Sequence, residues 1–79
     1  MQKSIKIFTT PTCAYCRMAK ELFKQNNITY EEKDVTTDIQ ARDEMINKSG
    51  QMGVPVIFVG DDIVVGFDKR RLSELLGVK

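Results

Sequence analysis

Two cysteines three positions apart, Cys13 and Cys16, are the residues of this 79-residue chain best suited to chemistry. A disulfide that closes so short a loop removes little entropy from the unfolded chain, so it would stabilise the fold poorly. The spacing is more typical of a catalytic dithiol or of metal binding. An intramolecular zinc site needs about four ligands, and the chain has no histidine and no third cysteine. The sequence therefore predicts a redox pair and no metal site.

The position of the pair predicts different roles for the two thiols. Cys13 lies where a predicted strand gives way to a predicted helix, and the open N–H groups and dipole of a helix amino terminus stabilise a thiolate. We therefore expect Cys13 to be the nucleophile. Cys16 lies one turn later, where it should be more buried yet close enough to attack a mixed disulfide on Cys13. Cys16 is the predicted resolving thiol, and two unrelated buried cysteines are the less favoured interpretation.

Hydrophobic periodicity and turn residues predict the elements that position this pair. Predicted strands cover residues 4–9, 28–35, 56–59 and 63–65, and predicted helices cover 14–26, 39 to about 48, and a short segment after Gly66. Asp38 and Asp68 are predicted N-caps, and the apolar Met18 and Ile39 are expected to be buried. The order β-α-β-α-β-β-α, with a right-handed β-α-β crossover, predicts an α/β fold of thioredoxin-like type. We expect one domain over residues 1–79, with a four-stranded mixed sheet and three helices on both faces.

The composition excludes several classes of partner. Twelve basic and eleven acidic residues give a formal charge of +1, so no bulk field attracts nucleic acid or an anionic membrane. The sequence shows neither a signal-peptide pattern nor an apolar run that approaches the length of a bilayer span. We expect a cytoplasmic monomer that binds neither nucleic acid nor membrane.

Two further segments have both a structural and a functional interpretation. Val54-Pro55 precedes a predicted strand, where proline can simply begin an edge strand or can face the redox pair as a cis-proline beside an extended substrate. Gly66-Phe67-Asp68 precedes the last helix, where Asp68 can cap the helix and the open N–H groups can also hold a carboxylate. Arg42, on the second helix, is either solvated surface or a cation for a ligand.

Taken together, these segments resemble the glutaredoxin family over nearly the whole chain. The matching segments are IFTTPTCAYC (7–16), RDEMI (42–46), SG (49–50), VP (54–55), IFV (57–59) and VGFD (65–68). The resemblance implies a dithiol exchange enzyme that uses glutathione as a co-substrate, holds no permanent cofactor, and reduces disulfide-bearing or glutathionylated client proteins. It implies these roles: nucleophile for Cys13, resolving thiol for Cys16, contact with the bound thiol for Tyr15, backbone hydrogen bonds from Val54 beside cis-Pro55, and reception of the γ-glutamyl end by Gly66, Phe67 and Asp68.

Four positions depart from the family pattern. Ala14 replaces a usual Pro, Gly53 a usual Thr, and Val65 the first of two usual glycines. Thr10 replaces a Lys that commonly holds the glycine carboxylate of glutathione, so Arg42 is the candidate cation for that end. The related small redoxins that serve ribonucleotide reductase and are recharged by thioredoxin reductase also carry a Gly-Phe step at this place.

Two other function classes stay open from the sequence. One is a binding module in which two chains, with glutathione, hold an iron–sulfur cluster. The other is a peroxide-scavenging thiol enzyme, for which Thr12 and Arg17 near the cysteine are the only support.

Overall fold

The structure is a computed structural model that describes residues 4–77, so the ends of the predicted domain, residues 1–3 and 78–79, lie outside the described residues. Its elements follow the predicted order: β1 (Ile5–Thr9), α1 (Ala14–Gln25), β2 (Glu31–Asp34), α2 (Ile39–Ser49), β3 (Val56–Val59), β4 (Asp62–Val65) and α3 (Lys69–Leu76). Within the described part of the chain, no helix is long and apolar enough to cross a bilayer.

The four strands form one mixed sheet in the order β2-β1-β3-β4. β1 pairs with β2 in parallel, through the β-α-β crossover that contains α1. β3 pairs antiparallel with both β1 and β4. The predicted mixed sheet is therefore confirmed, and it places the end of β1, which leads to Cys13, at the centre of the sheet.

Side-chain alternation along the strands builds a separate core on each face of the sheet. On one face, the first and third residues of β1 pack with α1 and α3, in a cluster of Ile5, Ile7, Ala19, Leu22, Phe23, Ile57, Val59, Val64 and Leu72. On the other face, α2 packs in a smaller cluster of Phe8, Ala41, Met45, Val56 and Phe58. The thioredoxin-like arrangement, with helices on both faces, is confirmed.

The helix ends lie where capping residues predicted them. The side chain of Asp38 accepts a hydrogen bond from the N–H of Ala41 at 3.0 Å, and that of Asp68 accepts one from the N–H of Arg71 at 3.1 Å. α2 ends at Ser49, and its C-cap Gly50 has a φ of 71°, the left-handed conformation that glycine adopts without a steric penalty. Both predicted N-caps are confirmed.

Two predictions about local structure were wrong. The second strand is shorter than the predicted 28–35, because the N–H of Ile28 donates to the carbonyl of Phe23 at 2.8 Å and so belongs to the end of α1. Met18 and Ile39 are 49% and 73% exposed rather than buried. Ile39 is the first residue of α2 and precedes the residues of that helix that reach the sheet, while Met18 faces a groove described below.

Candidate active site

Cys13 caps the amino end of α1. Its Sγ accepts a hydrogen bond from the N–H of Cys16 at 3.1 Å, and its own N–H donates to the carbonyl of Thr10 at 3.3 Å. Proline at position 11 and the turn at residues 11–12 separate the end of β1 from the helix. An N–H group aimed at sulfur stabilises the negative charge of a thiolate. The geometry therefore suits Cys13, which is partly exposed, for nucleophilic attack.

Cys16 lies one helical turn away in different surroundings. It is 1% exposed, and both cysteines are free thiols. Burial raises the pKa of the Cys16 thiol to about 12, and the hydrogen bond and charge of Cys13 add to the shift. Cys16 is therefore protonated at neutral pH. When Cys13 enters a mixed disulfide, the Cys13 sulfur is no longer charged. One cause of the raised pKa of Cys16 is then removed.

The segment before β3 lies directly against the nucleophile. The Val54–Pro55 peptide bond is cis, as the functional interpretation of the sequence predicted. The thiol of Cys13 donates to the carbonyl oxygen of Val54, with 3.8 Å between sulfur and oxygen. The N–H of Gly66 donates to the carbonyl of Pro55 at 2.8 Å. This bond fixes the segment that leads to α3 beside the redox pair.

The other predicted site residues are spread around this centre. Tyr15 is 62% exposed on the first turn of α1. Gly66 has a φ of 81°, Phe67 is half-buried, and Asp68 is exposed at the start of α3. Arg42 is exposed on α2, and among residues 4–77 it forms no ion pair or side-chain hydrogen bond that ties it to the Cys13 loop. The structure thus brings Val54 to Cys13, joins Gly66 to the neighbouring Pro55, and leaves Arg42 on a separate helix.

Thr9 is a site residue that the sequence analysis did not single out. It is 3% exposed, and its Oγ1 donates to the carbonyl of Thr10 at 3.2 Å. Contact with Thr9 and with the backbone of Thr10 lowers the pKa of Cys16, against the larger effect of burial. Thr9 follows Ile5 and Ile7 at the inward-facing spacing of β1, so strand alternation could have identified it as a buried hydroxyl.

No group of three or more acidic, cysteine or histidine side chains in the described residues is arranged to hold a metal ion.

Comparison with known proteins agrees with this arrangement. A family model described as Glutaredoxin matches residues 5–64, a range that includes both cysteines and Val54-Pro55. The uncharacterized glutaredoxin-like 8.6 kDa protein in the rubredoxin operon of Clostridium pasteurianum is 43% identical over 72 residues, which cover 91% of this chain and 96% of that protein. Glutaredoxin 3 of Escherichia coli K12 is 34% identical over 65 residues, covering 82% and 78%. The crystal structure of the thioredoxin-like protein BC3987 matches with a TM-score of 0.88 and 34% identity, covering 92% of this chain and all of that one.

Proposed function

The chain belongs to the glutaredoxin family of thiol–disulfide oxidoreductases, and we propose that it uses glutathione to reduce protein disulfides and glutathionylated proteins through Cys13 and Cys16. The observation that supports this most directly is the hydrogen bond from the N–H of Cys16 to the Sγ of Cys13, at 3.1 Å. It stabilises the attacking thiolate, while burial keeps the second thiol protonated until it is needed.

The reaction proceeds in two exchange steps. The Cys13 thiolate attacks one sulfur of the client disulfide, so a bond forms between that sulfur and Cys13 as the client's own S–S bond breaks. The second client sulfur leaves as a thiolate and takes up a proton. Cys16 then loses its proton, attacks the Sγ of Cys13, and releases the client as a dithiol. The client gains two electrons and two protons, and Cys13 and Cys16 become a disulfide.

Glutathione would restore the dithiol by the reverse chemistry. One glutathione thiolate attacks the Sγ of Cys13 and frees Cys16, and a second attacks the sulfur of the bound glutathione and leaves with it as glutathione disulfide. Cys16 is not required in the second of these steps. Transfer of a single glutathionyl group thus needs one thiol, whereas reduction of a protein disulfide needs two.

The proposed glutathione cradle surrounds Cys13. Val54 lies against the Cys13 thiol, and its backbone would pair with the cysteinyl backbone of glutathione as a neighbouring strand would. Tyr15 and cis-Pro55 would flank the bound sulfur. The N–H groups at Phe67 and Asp68 would hold the γ-glutamyl carboxylate, and the Asp68 carboxylate would accept from its ammonium group. Arg42 is the proposed cation for the glycine carboxylate, since Thr10 offers none.

The electron donor decides between this proposal and its alternative, a redoxin that thioredoxin reductase recharges. Turnover of a protein disulfide should be measured in two systems, NADPH with glutathione and glutathione reductase, and NADPH with thioredoxin reductase alone. We expect turnover in the first system to be at least tenfold faster. Faster turnover with thioredoxin reductase alone would contradict glutathione dependence and favour the redoxin. The matched control is Cys13→Ser, which should be inactive in both systems.

A further inference from the structure

A groove lies between α1 and α3, next to the redox pair. Its volume is about 460 Å³, and it begins at Ala14, the residue that follows Cys13. Its apolar lining comes from α1 and from the segment before α3, and consists of Ala14, Met18, Leu22 and Phe67. Leu22 is 6% exposed and forms part of the core, whereas Met18 is 49% exposed. The groove therefore offers an apolar surface in open contact with solvent at the site of chemistry.

Basic side chains stand on the two sides of this groove. Arg17 lines it from α1 and Lys69 from α3. Neither takes part in an ion pair among residues 4–77, in contrast to Lys20, which contacts Glu32 at 2.9 Å.

One acidic side chain, Glu21, also lines the groove, one turn further along α1 from Arg17. The lining of the groove therefore carries two positive charges and one negative charge.

The reaction itself supplies an occupant for the groove. Each cycle attaches the client's cysteine covalently to Cys13, so the residues that flank this cysteine are held beside the groove at high effective concentration. An extended chain advances about 3.3 to 3.6 Å per residue, so the first few flanking residues reach from Cys13 along α1. Contacts that would be weak between free molecules become effective for a tethered segment.

We propose that this groove binds the client segment next to the reacting cysteine, an inference that rests on the proposed function. The groove selects clients that carry an apolar and an acidic side chain in that segment. The apolar side chain packs on Met18 and Phe67. The carboxylate lies beside Lys69, whose charge is otherwise unpaired in the described structure. The groove shares Phe67 with the proposed glutathione cradle, while its other lining residues, on α1 and at Lys69, lie outside that cradle.

The single exchange step can be isolated in the Cys16→Ser protein. The probes are peptides with one cysteine, activated as a mixed disulfide with thionitrobenzoate. The Cys13 thiolate attacks the peptide sulfur, a Cys13–peptide disulfide forms, and thionitrobenzoate leaves as the coloured thiolate. One peptide carries leucine and glutamate beside its cysteine, and the other carries leucine and lysine. The activated disulfide of mercaptoethanol, which has no flanking residues, serves as the small reference substrate.

Nuclear magnetic resonance of labelled methionine methyl groups reports where the trapped peptide lies. Met18 lines the groove, and Met52, which is 66% exposed, does not, so the two methyl groups are a matched pair of reporters. We expect the trapped acidic peptide to shift the Met18 signal. An unchanged Met18 signal, with or without a shift at Met52, would overturn the proposal.

Charge reversal tests the selection. The acidic peptide should react roughly fivefold faster than the basic one, the size of effect of one partly exposed ion pair. Lys69→Glu should remove most of this preference, because it reverses a charge that lines the groove. Lys24→Glu makes the same change on an exposed residue of α1 outside the groove and should leave the preference intact. An equal preference for the acidic peptide in the parent and in both charge-reversal variants would overturn the proposal.

Failure of the parent to react with the small reference substrate would instead contradict the proposed function.

Discussion

Cys13 caps the amino end of α1 and Cys16 lies one turn later, yet the two sulfurs have very different surroundings. The Sγ of Cys13 receives an N–H and is partly exposed, whereas Cys16 is buried beneath it. A charge on Cys16 would lose its hydration and lie next to the charge on Cys13, and its pKa is raised to about 12 for these reasons. Exposure and hydrogen bonding, not residue type, thus separate nucleophile from resolving thiol.

Alkylation should report this difference directly. Because its pKa is about 12, Cys16 stays protonated throughout the range from pH 5 to pH 9, and only a thiolate reacts quickly with iodoacetamide. We expect Cys13 to be modified first at every pH in that range, with Cys16 labelled only after unfolding. Peptide mapping by mass spectrometry measures both sites, and the unfolded protein is the control. Earlier labelling of Cys16 would reverse the assigned roles.

Replacing each cysteine by serine separates the one-thiol from the two-thiol reaction. Cys13→Ser removes the nucleophile, so both glutathionyl transfer and protein-disulfide reduction should be lost. Cys16→Ser should keep glutathionyl transfer and lose disulfide reduction, since no second thiol can release the client from Cys13. The two rates are measured with a glutathionylated peptide and with a protein disulfide. Equal loss of both activities in Cys16→Ser would argue for a strictly dithiol redoxin.

Helices α2 and α3 begin in the same way, but only the start of α3 is assigned to glutathione binding. Each starts with an aspartate that accepts an N–H from three residues later, at 3.0 Å for Asp38 and 3.1 Å for Asp68. Only α3 begins at the segment fixed to Pro55 through the N–H of Gly66. The pair therefore allows the structural effect of a cap to be separated from binding.

Removing each cap should have a similar effect on stability and a different effect on glutathione use. Asp38→Ala and Asp68→Ala should each lower the free energy of unfolding by about 1 kcal/mol. Only Asp68→Ala should raise the Michaelis constant for glutathione, by roughly tenfold, because a charge-assisted contact worth about 1.5 to 3 kcal/mol is lost. Asp68→Ser keeps a capping oxygen without the carboxylate. If Asp68→Ser restores glutathione use, the carboxylate is not part of the cradle.

Considered as a whole, the molecule depends on two small cores that share one sheet. A chain of 79 residues has a total stability of only about 4 to 12 kcal/mol at 0.05–0.15 kcal/mol per residue. The smaller core has five buried residues between α2 and the sheet, so a single cavity there removes a large share of that stability. The contribution of an apolar side chain to the free energy of unfolding therefore depends on whether that side chain is buried.

Two methionines test this point with the same substitution. Met45 is 1% exposed in the core under α2, and Met18 is 49% exposed in the α1–α3 groove. Met45→Ala should lower the free energy of unfolding by about 2 to 5 kcal/mol, because it leaves a cavity. Met18→Ala should change it by less than about 1 kcal/mol, as surface substitutions do. Urea denaturation measures both, and a similar loss in both variants would contradict the burial difference.

The sequence by itself determined the features that depend on neighbours along the chain. Strand alternation, helical periodicity and the Asp38 and Asp68 caps are local, and they predicted the element order and the fold. The junction of β1 and α1 is also local, so the position of Cys13 at a helix amino end could be predicted from the point where the strand pattern gives way to the helical pattern.

Tertiary structure alone decided what depends on distant segments. The contact of Val54 with Cys13 joins residues 41 positions apart, so periodicity along the chain does not predict it, although the resemblance to the glutaredoxin family implied that this segment faces the redox pair. Hydrophobic pattern likewise treated Met18 and Ile39 as core residues, because a pattern marks an apolar side of a helix but not how far the neighbouring elements extend over it. The high pKa of Cys16 has the same origin, since desolvation is set by the packing of all the atoms around the sulfur.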